Sequence, residues 1–477
     1  MFRSHALRAP AAAAGARRLA PALALSLAVF LTQLDVTAVV VVMPSIGAEL
    51  GFGSAGFAWV MDAYSLAFTA LLLAAGALAD RHGRRLAMLH GNALFALGSL
   101  GCGLAWNGPS LWIARGVQGA GAAFVVTGAI ALIAGLYAEP TERARAFGLM
   151  GVVSGMAMAL GPTLGGLVGA WFGWRWIFLA NLPIGLMIAV AVPRLIRETR
   201  DAGGPPLDPV GILQLTAALG VAIVALLQGA RAPAVLFAGL LASATLGALF
   251  ITRQRRLPRP LLDPDLFARP AMAGVAILLL SLSVGYWAVL VYLPLFLRTG
   301  FGLTPEQVGF ALLAATLPML VLPPMAGRLV IRWGWPRLFA TGLAAVVAGD
   351  LVLAWTSLGA GAGAGFAPGL LDVTRFDLVP FGLALVGMVL IGLGTAMVHS
   401  QLSAVVVTLA PPSQAGMASA VTVVLRQAGF ALGIAALGAA ETAKGFPAAF
   451  LLAAAASLGG VAAALFLLPG PASRPAE

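Results

Sequence analysis

Fourteen apolar runs, each long enough to cross a lipid bilayer as a helix, follow one another along a chain of 477 residues. A membrane-crossing helix needs roughly 20 mostly apolar residues. The runs lie near 19–43, 58–79, 86–106, 110–136, 146–170, 176–194, 209–229, 233–252, 271–295, 307–329, 337–358, 379–405, 416–440 and 446–469. Within hydrocarbon each backbone N–H and C=O must be satisfied inside the segment, so such runs fold as helices. With 61% hydrophobic and only 9% charged residues, a soluble fold of this size is excluded. The expectation is an all-α polytopic membrane protein with fourteen transmembrane helices.

The cations set the orientation. With the N-terminus in the cytoplasm, 21 of the 28 Lys and Arg fall in cytoplasmic segments, five in outer loops, and Arg115 and Arg426 inside helices. Such a bias is the positive-inside pattern. It accounts for the net charge of +11, and a nucleic-acid partner is not needed to explain it. The basic N-terminal stretch precedes a run too long for a cleaved signal, so a retained first helix is expected, with both termini cytoplasmic. Cys102 is the sole cysteine, which rules out an intramolecular disulfide and a thiolate metal cluster.

The chain repeats itself. Gly76, Leu78, Arg81 and Gly83 recur 251 positions later as Gly327, Leu329, Arg332 and Gly334, again just after an apolar run. Duplicated six-helix halves are common among transporters. The layout reads as a tail (1–18), a six-helix bundle (19–194), a linker carrying two inserted helices (195–270), a second six-helix bundle (271–469) and a tail (470–477). Both tails are expected in the cytoplasm.

Charges inside apolar runs are functional candidates, because an ionisable group at the bilayer centre costs about 2.5–3.5 kcal/mol on insertion scales. Asp35 sits roughly 24 Å into the first helix and Arg115 roughly 22 Å from the same face in the fourth, at 1.5 Å per residue. The two can meet. A permanent pair would carry no protons, so proton coupling requires Asp35 to be paired in one state and free to take a proton in another; the alternative is a fixed structural ion pair. Asp62, near the outer end of the second helix, is either a second proton site or simply solvated. Asp350 and Arg426 lie at similar depths of roughly 15–18 Å, which allows a pair.

In the segment Gly76 to Arg85, GALADRHGRR, Gly76 and Gly83 permit a tight turn, and Asp80 can cap a helix or pair with Arg81, Arg84 or Arg85. The result is either an electrostatic latch or a topology anchor. In the fifth run Gly151, Gly155, Gly161, Gly165 and Gly169, mostly four apart, form one smooth face, and Pro162 interrupts the backbone ladder.

These segments resemble those of a known family. GALADRHGRR is similar to the cytoplasmic loop motif of the major facilitator superfamily, LWIARGVQGAGAA (Leu111 to Ala123) to its fourth-helix motif, and GVVSGMAMALGPTLGG (Gly151 to Gly166) to the fifth-helix motif of its antiporters. LDVTAVVVVMP (Leu34 to Pro44), WRWIFLANLPIG (Trp174 to Gly185) and GMASAVTVVLRQAGFALG (Gly416 to Gly433) resemble signatures of the fourteen-helix drug:proton antiporter family. The resemblance implies a major facilitator fold, two six-helix bundles plus two inserted helices. It also implies coupling roles for Asp35 and Arg115, with Asp62 a weaker candidate. The loop motif Gly76, Asp80, Arg81, Gly83, Arg84 and Arg85 would gate access by engaging the opposite half, and the antiporter motif Gly155, Gly161, Pro162, Gly165 and Gly166 would form a seal.

By the same resemblance, the cavity helices bring forward Gln33, Gln118, Tyr286, Trp287, Tyr292, His399 and Arg426. A few polar groups on an apolar, aromatic wall suit an amphipathic molecule. The functional expectation is proton-coupled export of drugs, antiseptics or secreted metabolites, with protons and the substrate as partners, the bilayer as surroundings, a monomer as assembly and no cofactor. A metabolite facilitator or symporter of the same fold is the alternative. A membrane-embedded lipid-modifying enzyme is disfavoured, because no HExxH, GxSxG or nucleotide loop occurs.

Overall fold

The computed structural model describes residues 11–137, 139–200, 208–229, 232–258, 260, 264–361, 378–409 and 415–469. All regular structure among them is helical. The first group comprises α1 (Ala11–Leu50), α2 (Ser54–His82), α3 (Arg84–Gly103), α4 (Gly108–Leu136), α5 (Pro140–Phe172), α6 (Arg175–Leu179) and α7 (Asn181–Leu195). Two helices, α8 (Pro209–Gly229) and α9 (Pro233–Arg256), stand between the groups. The second group holds α10 (Pro264–Ala268) and α11 (Pro270–Leu282), which passes through a π-helical turn, Ser283–Ala288, into α12 (Val289–Phe301). Then come α13 (Pro305–Ala311), α14 (Leu313–Thr316), α15 (Pro318–Val321), α16 (Pro323–Gly361), α17 (Leu378–Leu409), α18 (Ala415–Lys444) and α19 (Phe446–Phe466).

Among the described residues twelve helices are long and apolar enough to span a membrane, two fewer than the runs in the sequence. The run at 58–79 falls in α2, whose apolar stretch is shorter, Gly56–Leu72. The run at 307–329 is divided among α13, α14, α15 and the start of α16. Pro318 and Pro323 stand first in α15 and α16, and a proline lacks the N–H that would continue the preceding helix. The first helix also begins earlier than expected, at Ala11, inside the stretch read as a tail. Residues 1–10 and 470–477 lie outside the described residues.

The backbone carries the duplication more clearly than the side chains do. Among the described residues, six glycines have positive φ: Gly51, Gly83, Gly173, Gly302, Gly334 and Gly445. They form three pairs. Gly51 and Gly302, like Gly83 and Gly334, are 251 positions apart, and Gly173 and Gly445 are 272 apart, 21 more. Each turn needs a left-handed residue, which glycine supplies without a Cβ penalty. On this register Asp35 corresponds to Tyr286 and Ser99 to Asp350.

Packing divides the molecule along its length. One apolar cluster joins both groups: Val39, Met43, Ile46 and Phe178 pack with Tyr292, Phe296, Val346 and Phe450. Toward the end that carries Arg84, Arg85 and Arg194, the core separates. Leu25, Phe95, Ile133 and Ile188 belong to a cluster of the first group that Val424 touches, whereas Met272, Leu338, Val405 and Ala464 form one wholly of the second. Among the described residues, the apolar core that both groups share most broadly lies toward the other end.

Helices α8 and α9 lie over the seam. Ile223 of α8 packs on Ala431 and Ala435 of α18, with Leu66 of α2 alongside. Helix α9 rests on α8, where Ser243 donates to the Ala218 carbonyl at 2.8 Å. Asp208 ties their basic ends. It accepts from Arg253 Nη2 at 2.7 Å, Gln254 Nε2 at 2.9 Å and the Gly211 N–H at 3.0 Å. The Arg253 bond is the main reason the Asp208 carboxyl lies below the usual carboxylate range. A depressed carboxyl contributes stability above its unfolded pKa and loses it as pH falls through the folded value. Replacing Asp208 with Ala is expected to cost about 1 kcal/mol, as for a lost helix cap. Thermal melts in detergent should show that cost at pH 7 and show it vanishing below the ordinary carboxylate range.

Candidate functional site

The site is a dry polar network within the first group. Asp35 of α1 is 1% exposed and Arg115 of α4 is fully buried. Arg115 Nη1 donates to Asp35 Oδ2 at 2.5 Å and to Gln118 Oε1 at 2.7 Å, and its Nε donates to the Val60 carbonyl at 3.0 Å. Asp35 Oδ1 accepts from Gln118 Nε2 and from Asn181 Nδ2, each at 2.7 Å. Ser99 Oγ completes the circle by accepting from Gln118 Nε2 at 2.8 Å. The guanidinium also lies 4.5 Å from the Tyr64 ring centroid. The carboxylate thus accepts three bonds, which is what a buried charge requires. Arg115 Nη2 alone has no partner.

Helix geometry brings these groups together. Arg115 and Gln118 are three apart, so both project from one face of α4, and that face meets Asp35 on α1. Asn181 opens α7 and reaches the same carboxylate oxygen from a third side. Sequence reading paired Asp35 with Arg115 by depth but missed Ser99, Asn181 and the Val60 carbonyl. Asn181 is the polar residue inside the WRWIFLANLPIG stretch, and that was its available signal; Ser99 had none.

The other intramembrane carboxyls have no such support. Asp62 is 1% exposed and neither oxygen has a hydrogen-bond partner, so the reading in which it is solvated near the surface does not hold. It lies within electrostatic reach of Tyr292, as does Glu441 of α18. Asp350 is fully buried with both oxygens unpartnered, and it makes no pair with Arg426. The two tyrosines expected on the cavity are closed in the shared core. Tyr286 donates to the Ala315 carbonyl at 3.0 Å and Tyr292 to the Ile434 carbonyl at 2.8 Å. Gln33 and Trp287 are half-buried.

Several groups of the loop motif are held by the first group's own chain. The N–H groups of Arg85 and Leu86 both donate to the Glu198 carboxylate at 2.9 Å, capping the N-terminus of α3. Arg85 Nη1 donates to the Ile196 carbonyl at 3.0 Å, and the Arg84 N–H to the Thr199 carbonyl at 2.9 Å. At Gly83, φ is 125°, and a Cβ would stand 2.8 Å from the Glu198 carboxyl carbon. Arg81 is exposed and Gly76 has open space beside it. The Asp80 side chain lies outside the described residues. Glu198 was missed because an acid in a basic linker reads as solvated.

Helix α5 makes the contact across the groups. Gly161 and Gly165 lie against Thr37 and Ala38 of α1. On its other face, a Cβ at Gly166 would stand 2.6 Å from the Pro305 carbonyl, and one at Gly309 would stand 3.0 Å from the Pro162 carbonyl. Thr163 Oγ1 donates to the Gly309 carbonyl at 2.9 Å, and Thr316 Oγ1 to the Ala159 carbonyl at 2.8 Å. Toward the basic end the same helix is free: Gly148, Gly151 and Gly155 have nothing within 4 Å of a built Cβ.

Comparison with known proteins decides the family. The Major Facilitator Superfamily model matches residues 25–371 and again 275–477. The chain belongs to the Major Facilitator Superfamily. It is similar to the multidrug resistance protein Stp of Mycobacterium tuberculosis, 32% identical over 87% of this chain and 74% of that one. The methylenomycin A resistance protein of Streptomyces coelicolor is 32% identical, with 89% and 87% covered. The cephamycin export protein CmcT of Amycolatopsis lactamdurans is 33% identical, with 86% and 82% covered. By name, these relatives are proteins of drug resistance and export. A crystal structure of a mutant peptide transporter POT in complex with sulfate superposes with a TM-score of 0.66 over 93% of each chain at 16% identity, a likeness of fold alone.

Two outcomes follow for this facilitator. Asp35→Asn leaves a buried guanidinium without its counter-charge, and breaking such a pair costs about 3–5 kcal/mol; a lowered melting temperature in detergent checks it, and Asn181→Ala should cost less. Gly165→Ala drives a methyl into the Ala38 backbone and is expected to lower stability by about 1–3 kcal/mol, whereas Gly155→Ala, in open space, should be neutral or stabilising. Side-by-side melts of the two alanine variants separate these cases.

Proposed function

We propose that this protein exports amphipathic small molecules across a bacterial cytoplasmic membrane in exchange for protons. On this reading the two six-helix bundles, 19–194 and 271–469, rock about a central cavity, and α8 and α9 add two crossings to make fourteen. The basic end faces the cytoplasm, as do both termini. The conformation described above is then the inward-facing one, sealed on the outside by the shared core and by α5 against α13 and α14.

The observation that carries the reading is the dehydrated Asp35 network in a chain whose relatives are named for resistance and export. A charged pair at this depth is costly, and its members can be exchanged between two states. In the inward-facing state Arg115, Gln118 and Asn181 satisfy the carboxylate, and no proton is held. When α1 shifts against α4 in the outward-facing state, Asp35 loses those donors and takes a proton from outside. The return re-forms the Arg115 bond and releases the proton inward, while substrate has moved outward. No cofactor enters this cycle; the proton gradient supplies the energy. The role is transport and not catalysis.

The test is dye efflux from proteoliposomes under an imposed proton gradient. Gradient-driven efflux in the intact protein, lost in Asp35→Asn that still inserts and binds dye, is the expected result. Movement that survives collapse of the gradient would instead identify a facilitator, and full efflux in Asp35→Asn would move the proton site to Asp62.

A further inference from the structure

The second bundle has buried donors that nothing in the protein answers. Trp287, at the end of the π-helical turn, and His399 of α17 stand with ring centroids 5.7 Å apart at 66°. Trp287 Nε1 and His399 Nδ1 are both buried without a hydrogen-bond partner. Arg426 of α18 lies within electrostatic reach of His399, and its backbone carbonyl accepts from Ser283 Oγ at 3.0 Å, one turn before Trp287. No carboxylate pairs with Arg426 among the described residues. Asp350, the acid at similar depth, points elsewhere, with both of its oxygens unpartnered.

A guanidinium and an indole N–H in a low-dielectric interior each cost free energy until an acceptor arrives. The cluster is also one-sided. With the 251- and 272-residue registers of the repeat, Trp287, His399 and Arg426 correspond to Val36, Thr127 and Ser154 in the first bundle. Ser154 adjoins Gly155, beside which there is open space, so Arg426 occupies the stretch of α18 equivalent to the part of α5 that borders the opening. The first bundle's own cation, Arg115, is already neutralised by Asp35. Of the two arginines, Arg426 in the second wall is therefore the one without a counter-charge among the described residues.

We infer that Trp287, His399 and Arg426 form a subsite for an anionic or strongly accepting group, so that the favoured substrates are amphipathic molecules bearing a carboxylate. The planar guanidinium supplies the charge and a two-pronged hydrogen-bond donor. The indole N–H supplies one directed bond, and the aromatic pair supplies an apolar face for the rest of the molecule. Calling the occupant a transported substrate rests on the export reading above; the anion preference itself does not.

Binding to the full-length protein in nanodiscs is the test, with dansylglycine as the carboxylate probe and dansylglycinamide as its neutral twin. Dansylglycine should bind at least tenfold more tightly. Trp287→Phe, which keeps the ring and removes the donor, should weaken dansylglycine about tenfold and leave the amide within twofold. Arg426→Gln should erase the preference and Arg426→Lys should restore part of it. Equal affinity for the two probes, or a preference that survives Arg426→Gln, overturns the inference; if that variant does not fold, Trp287→Phe decides alone. Proton-driven efflux of dansylglycine is read separately. Absent efflux with intact anion preference refutes the export reading only, and gradient-driven efflux of both probes alike refutes the subsite only.

Discussion

A carboxylate in a dry, low-dielectric interior survives only with donors around it, and the arrangement of the first bundle follows from satisfying Asp35. Two helices surrender side-chain donors to it, α4 with Arg115 and Gln118 and α7 with Asn181, and Ser99 of α3 steadies the amides by accepting from both. Each donor is itself held, so the network fixes how α1, α3, α4 and α7 sit together. Replacing it by apolar residues of the same volume would be nearly neutral for stability.

The duplication explains why that device sits on one side. The backbone repeats faithfully, down to three pairs of left-handed glycines, while the chemistry does not. Where the first bundle has Asp35, the second has Tyr286, whose hydroxyl is spent on the Ala315 carbonyl. Where the first has Ser99, the second has Asp350, a carboxyl without any donor. The ion pair belongs to one wall, and the unpartnered nitrogens of Trp287 and His399, with Arg426, to the other. Helix α5 and the segments α13 to α14 join the walls through glycine contacts and threonine bonds to buried backbone carbonyls, beside the apolar cluster that both groups share. Helices α8 and α9 cover the neighbouring seam between α2 and α18.

Much of this was legible in the sequence because helices convert residue number into depth. The meeting of Asp35 and Arg115 came from a 1.5 Å rise alone, and the close packing of α5 came from glycines at a spacing of four. What stayed hidden had no periodic signal. Neutral polar residues such as Asn181 and Ser99 look the same whether they ligate a carboxylate or point into lipid. Glu198 in a basic linker gave no hint that it caps α3. Asp62 was placed near solvent because its depth was measured from one end of its helix; α2 begins four residues before the apolar run, and neighbouring elements cover the acid. The break at 307–329 arises from prolines that an apolar count does not weigh.

The central claim is that the Asp35–Arg115 pair holds the two bundles in the state sealed away from the basic end. Spin-label distances across both ends measure it directly, with Cys102 replaced by Ser and label pairs at the exposed positions Leu195 and Ile331, and Trp106 and Val379. In Asp35→Asn the first distance should shorten and the second lengthen as the population moves to the opposite state. Unchanged distances at both ends, in a variant that is folded, would show that the pair is structural mortar and plays no part in the rocking of the bundles.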